Sequence, residues 1–157
     1  MKAELLTIGD ELLIGQTTNT NAAWLGRRLS ALGVRVGRTV TVSDTRAAIQ
    51  QALDRAYAEA RLVVCTGGLG PTHDDITREV VGAYFDAPLE TDEDLLARVR
   101  RYYTRRGRDM PDTAPRLAQV PDGFEPLENP VGAAVGLWHE ADDGRLIALL
   151  PGIPDEM

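Results

Sequence analysis

The sequence predicts an α/β fold of three layers: a mostly parallel sheet with helices on both faces, and an antiparallel hairpin near the C-terminus. Three features carry that reading. Short apolar runs alternate with segments of helical periodicity ten or more residues long, the pattern of repeated βαβ units. Polar loops rich in glycine and acid follow the ends of the apolar runs, where open parallel sheets receive their ligands. Two late runs flank "ADDG", a tight-turn signal that joins them as a hairpin.

Ala3 to Ile8 is continuous and mostly apolar, as a strand covered on both faces would be. A polar loop, "GDELLIGQTTNTN", follows it. Residues 21–32 place Ala22, Leu25, Leu29 and Leu32 at helical spacing, with Asn19 or Asn21 as the cap and Gly33 as the stop. Val34, Val36, Val40 and Val42 lie at even spacing and mark a second strand that ends at "SDT". Ile49, Leu53 and Ala56 with Tyr57 give a second helix, for which Asp44 is a good N-cap, and Leu62 to Thr66 form a third strand. Residues 75–85 read as a third helix opened by Asp74 and Asp75. "TDEDLLARVRRYYTRRG" reads as a fourth, with Thr91 as cap, acids in its first turn, arginines in its last and Gly107 beyond. A proline-rich stretch from Met110 to Pro130 holds a short helix around 114–119, and the final strands run from Ala134 to Glu140 and from Arg145 to Leu150.

A chain of 157 residues builds one domain with a single substantial core, so residues 1–157 are read as one unit. Cys65 is the only cysteine, which excludes an internal disulfide and points to a reducing, cytoplasmic setting. The apolar segment near the N-terminus is interrupted by Asp10 and Glu11, too soon for a signal peptide or a membrane span. A net charge of −7 argues against partners gathered by bulk electrostatics, nucleic acid and membrane surfaces among them. Lys2 is the only lysine, and Gly70 is followed by Pro71 and Thr72, so the glycine-rich loop is no Walker A motif.

That loop, "TGGLGPTHDDIT" at residues 66–77, combines opposing chemistries. Gly67, Gly68 and Gly70 let a ligand approach backbone N–H groups that hold an anionic oxygen, and Thr66 and Thr72 add hydroxyls. Asp74 and Asp75 would repel the same anion. Helix capping explains one of them and leaves the other over. A divalent cation bridging carboxylate and phosphate reconciles the two halves, since a hard ion takes one or two carboxylates and completes its shell with phosphate oxygens. Asp10, Glu11, Asp44 and Glu156 are further acids expected at the same edge, each alone explicable as a cap or a solvated side chain. His73 reads as a loop side chain, Cys65 as a small buried residue, and the arginines of "RVRRYYTRRGR" as a solvated helix face.

"TGGLGPTHDDIT" resembles the signature of the molybdopterin-binding fold of MogA, MoaB and gephyrin. "GDELLIGQTTNTN", "NPVGAAVG" (Asn129 to Gly136) and "LPGIPDEM" narrow the resemblance to the N-terminal domain of the CinA family, from end to end of the chain. The resemblance implies an α/β fold whose glycine-rich and acidic loops form a nucleotide or pterin pocket, with Gly9, Asn129 and Gly152 joining Thr66, Gly67, Gly68 and Gly70 as binding residues. Asp75 and Asp44 match two functionally important aspartates of the molybdenum-cofactor enzymes. For CinA-type domains it implies a pyrophosphatase that splits ADP-ribose into AMP and ribose 5-phosphate. Such an enzyme uses Mg²⁺, Mn²⁺ or Co²⁺ together with potassium, and Asp10, Glu11, Asp75 and Glu156 are the residues expected at the metal. Pterin binding with adenylyl transfer, or nucleotide binding without catalysis, are the alternatives. Relatives assemble as dimers or trimers. They also continue past the point where this chain stops, at Met157, and full-length CinA carries a C-terminal deamidase domain with no counterpart here.

Overall fold

The apolar runs become strands whose parallel pairing brings the polar loops to one edge. The computed structural model describes residues 1–157. In chain order the elements are β1 (Lys2–Ile8), α1 (Asp10–Leu13), α2 (Thr20–Ala31), β2 (Arg35–Val42), α3 (Arg46–Tyr57), β3 (Leu62–Thr66), α4 (Thr77–Tyr84), β4 (Leu89–Thr91), α5 (Glu93–Arg105), β5 (Gln119–Pro121), β6 (Glu125–Leu127), β7 (Gly136–Glu140) and β8 (Leu146–Leu150). Short 3₁₀ turns cover Ala114–Ala118 and Pro154–Glu156. The main sheet has the order β2-β1-β3-β8-β7-β6. Its first four strands are parallel, while β7 and β6 run antiparallel at the other side. Pairing of Ile8 with Val42, Thr7 with Thr66, and Thr66 with Leu150 ends the four parallel strands level with one another.

The two-residue period of the strands divides their side chains between the two faces. Leu6, Ile8, Val63, Cys65, Ile147 and Leu149 pack with Ile49 and Leu53 of α3 and Val80 and Val81 of α4. Ala3, Leu5, Val64 and Leu146 pack with Leu25 of α2 on the other face. This gives the three layers expected. Tyr57 seals the lower edge by donating its hydroxyl to the Leu146 carbonyl. No helix is long and apolar enough to cross a membrane.

The structure departs from expectation at the short elements and the caps. Residues 10–13 are a turn of helix inside the expected polar loop, and β4 with β5 makes a separate two-stranded sheet. Asn19, not Asn21, caps α2 by accepting the Ala22 N–H at 3.1 Å. α3 is capped by Thr45, which accepts the Ala48 N–H, because the helix begins one residue later than an Asp44 cap would require. Asp92, not Thr91, caps α5, since Thr91 is the last residue of β4. Neither Asp74 nor Asp75 caps α4, which begins at Thr77 behind Ile76 with no side-chain cap.

Candidate functional site

The loops that leave β1, β2, β3 and β8 surround a cavity of about 720 Å³ at the C-terminal edge of the parallel strands. This lies within the roughly 300–1,000 Å³ typical of small-molecule sites. Gly9, Asp10, Glu11, Asp44, Thr66, Gly67, Gly68, Gly70, Asp74, Asp75, Gly152 and Glu156 all line it. Asn129 does not. It is buried in the 129–134 loop, where its Oδ1 accepts the Val131 and Gly132 N–H groups and its Nδ2 donates to the Ala134 carbonyl. Its one link to the cavity is a 3.1 Å hydrogen bond from Nδ2 to the Glu156 carboxylate.

The glycines divide into donors and spacers. The N–H groups of Gly68, Leu69 and Gly70 have no protein acceptor, so the loop presents three free donors in succession. Gly67 and Gly9 have spent theirs on the Leu150 and Val42 carbonyls. What position 67 requires is the absence of a side chain: at φ +104° a Cβ there would strike the Ile8 carbonyl. Gly152 likewise passes so near that a Cβ on it would lie 3.2 Å from the Gly67 Cα. Thr66 has also spent its hydroxyl, which donates to the Pro151 carbonyl at 2.8 Å and accepts from Asn21 Nδ2 at 3.0 Å.

Asp75 folds back to close the turn before α4. Its Oδ2 accepts the Thr72 N–H at 2.9 Å and the Thr72 hydroxyl at 2.6 Å, and it covers the open side of Gly70. Asp44 crosses between loops to accept the Asp10 N–H at 3.0 Å, tying the end of β2 to the start of α1. Burial pushes the Asp44 carboxyl up. The Asp10 N–H opposes that rise, and the charges of Asp10, Glu11 and Asp75 reinforce it. Cys65 is fully buried, its thiol pushed up to about 12, which excludes it as a nucleophile. His73 is exposed and does not line the cavity.

Two arginines that pattern reading passed over stand behind the loop. Arg78 is buried on α4 and donates to the Leu69 carbonyl at 3.2 Å and the Arg116 carbonyl at 3.1 Å. Arg116, in the 114–118 turn, donates to the carbonyls of Thr72 and Asp75. Between them they hold three carbonyls of residues 69–75. Burial, with the charge of Arg116, pulls Arg78 down to about 10, still far above neutrality. Spacing offered a signal, since Arg78 lies three and seven residues before Val81 and Phe85 and so shares their inward face.

The residues expected at a metal, Asp10, Glu11, Asp75 and Glu156, line one cavity but do not gather: no three His, Cys, Asp or Glu side chains form a group that could hold an ion. Separated carboxylates do fit a hard cation that takes one or two of them and completes its shell with phosphate oxygens. Burial is the main cause of the rise at Asp44, and the charges of Asp10, Glu11 and Asp75 that add to it are what such a cation would offset.

Similarity to known proteins agrees with this architecture. The family described as a probable molybdopterin binding domain matches residues 4–157. A CinA-like protein of Salinibacter ruber is 76% identical over all 157 residues, which span 38% of that relative's length. The crystal structure of CinA from Thermoplasma acidophilum, a protein of unknown function, superposes with a TM-score of 0.90 at 40% identity, covering 99% of this chain and 90% of that one. The tungsten cofactor synthesizing protein MoaB of Pyrococcus furiosus superposes with a TM-score of 0.63 at 20% identity over 99% of this chain and 84% of that one, a likeness of fold.

Proposed function

The chain belongs to the probable molybdopterin binding domain family, in its CinA-like group, and from that premise we propose that its cavity hydrolyses ADP-ribose-like nucleotide diphosphates to AMP and ribose 5-phosphate. The supporting observation is the run of free N–H groups at Gly68, Leu69 and Gly70 in a cavity wall shared with carboxylates from the loops after β1, β2 and β8. Donors in that number suit a diphosphate, and carboxylates beside them suit the activation of water. Water adds at one phosphorus, the bridging P–O bond breaks, and the departing oxygen leaves with its electron pair as a phosphate monoester. Asp44, with its proton affinity raised, takes the proton from water, and Asp75, fixed by Thr72, orients it. Asp10, Glu11, Asp75 and Glu156 are the residues that would hold Mg²⁺, Mn²⁺ or Co²⁺, which when bound supplies charge neutralisation at the phosphates and acidifies water. Potassium, a dimeric or trimeric assembly and a cytoplasmic setting belong to the same reading.

The test is incubation with ADP-ribose, each divalent metal and K⁺, followed by chromatography for AMP. Product should appear with the wild-type chain and fall at least about a hundredfold in Asp75→Asn, the scale of a lost acid–base or positioning group. Asn keeps an acceptor for the Thr72 N–H, so the melting temperature of that variant should stay close to that of the wild type. No AMP above a protein-free control, with the fold intact, sinks the proposal. The family match also favours a second reading, pterin binding with adenylyl transfer, which predicts an adenylylated product from ATP and a pterin. Stabilisation by ADP-ribose without turnover would instead mark a nucleotide-binding domain that is not a catalyst.

A further inference from the structure

A second cavity, of about 340 Å³, lies between α5 and the 128–132 loop. Arg98, Arg101 and Arg105 line it from one helical face, at spacings of three and four residues, and Arg106 closes its end. Glu128 is the only acid in its lining. None of these arginines takes part in any of the five ion pairs of the structure, in a chain whose net charge is −7. Their guanidinium groups are differently committed. Arg98 donates to the carbonyls of Asn129, Gly132 and Ala133, which fixes the floor of the groove. Arg106 lies 3.7 Å from the centre of the Tyr102 ring. Arg101 and Arg105 are exposed and have no hydrogen-bond partner at all. The helix dipole accounts for a cation in the last turn of α5, but not for Arg98 and Arg101 earlier in the helix, nor for the concave wall facing them.

We propose that this groove is an anion site that binds the phosphoryl group of a small phosphorylated molecule, with Arg101 and Arg105 as its free bidentate donors and Arg98 as a fixed positive floor. Guanidinium forks match phosphate oxygens in geometry and charge. The volume suits a compact group. With Arg106 over the Tyr102 ring, a nucleobase has little open aromatic face to stack on, and the acidic remainder of the chain opposes a long polyanion. The 129–132 loop lines this groove alone, and its one tie to the first cavity is the hydrogen bond from Asn129 to the Glu156 carboxylate. The proposal does not depend on the reaction assigned to the first cavity.

The experiment is a titration of inorganic pyrophosphate into ¹⁵N-labelled chain in EDTA, followed by amide and arginine Nε–H shifts. Saturable shifts should centre on residues 98–106 and 128–132. Arg101→Ala/Arg105→Ala, at exposed positions with no partners to lose, should keep the melting temperature and weaken binding about tenfold or more. Shifts confined to residues 67–75, no saturation, or equal affinity in the double variant would overturn the site. So would a single-stranded oligonucleotide that binds α5 and is not displaced by pyrophosphate.

Discussion

Asp44 shows how one side chain can be readable as a candidate and misread in its local role. Its position after β2 marked it as a cap or a functional acid. The structure gives the cap to Thr45 and turns Asp44 across to the Asp10 N–H, because α3 starts at Arg46. Its carboxyl is raised chiefly by burial and then by three neighbouring acids, so the native state keeps this proton over a pH window in which the unfolded chain has lost it. Stability from this group therefore falls as pH rises through that window, and at neutral pH the ionised carboxylate is a net cost. Asp44→Asn retains an acceptor for the Asp10 N–H and sheds the charge. It should raise the urea midpoint at neutral pH, and the difference should close as pH falls below the ordinary aspartate range. Equal midpoints at neutral pH, or a gap that widens on acidification, would contradict this assignment. Mg²⁺ or Mn²⁺ should raise the melting temperature of the wild type more than that of Asp44→Asn, because the cation relieves the same repulsion.

Among elements, the long ones were legible and the short ones were not. β1 and β3 are buried on both faces, β8 nearly so, and all three read as mostly apolar runs, while α2, α3 and α5 carry enough turns for their period to appear. β4, β5 and β6 have three residues each, too few for any period, and exist because their partners lie beside them. The glycine loop is an intermediate case: its composition announced a ligand site, but the division into donors and spacers depends on contacts with β1, β8 and α4. The brace behind it was illegible, since Arg116 lies 41 residues from the Asp75 carbonyl it holds. Arg116→Ala should cost only about 1–2 kcal/mol, because the exposed Thr72 can turn its carbonyl to water. With the carbonyls released, hydrogen exchange at residues 68–75 should accelerate, and in the proposed hydrolysis the KM for ADP-ribose should rise about tenfold while kcat changes less. Gly67→Ala should be worse by a different route. Its Cβ has nowhere to go beside the Ile8 carbonyl, so a loss of more than about 2 kcal/mol is expected.

For the molecule as a whole, the first and last parallel units are joined at the site by a single buried side chain. Asn21, in the first turn of α2, donates through Nδ2 to the Thr66 hydroxyl at the end of β3 and to the Gly152 carbonyl beyond β8. The Thr66 hydroxyl donates its own hydrogen bond to the Pro151 carbonyl and so can only accept from Asn21, which fixes which end of the amide points where. One residue thus links α2, the central strand and the segment after β8, over a separation of 131 residues. Sequence reading could offer Asn21 only as a cap, because nothing local distinguishes it from Asn19. Asn21→Leu keeps the volume and removes the donor; the Thr66 hydroxyl keeps its bond to Pro151 and the exposed Gly152 carbonyl can turn to water, so the loss is that of two hydrogen bonds, about 2 kcal/mol in all. For a domain of this size that corresponds to a fall of roughly 4–8 °C in melting temperature. Because the link spans the sheet and is not confined to one loop, calorimetry should show a single transition displaced to lower temperature. A low-temperature shoulder with the main transition unmoved would mean that the segment after β8 frays independently, and that the cavity is assembled from units less tightly joined than these hydrogen bonds imply.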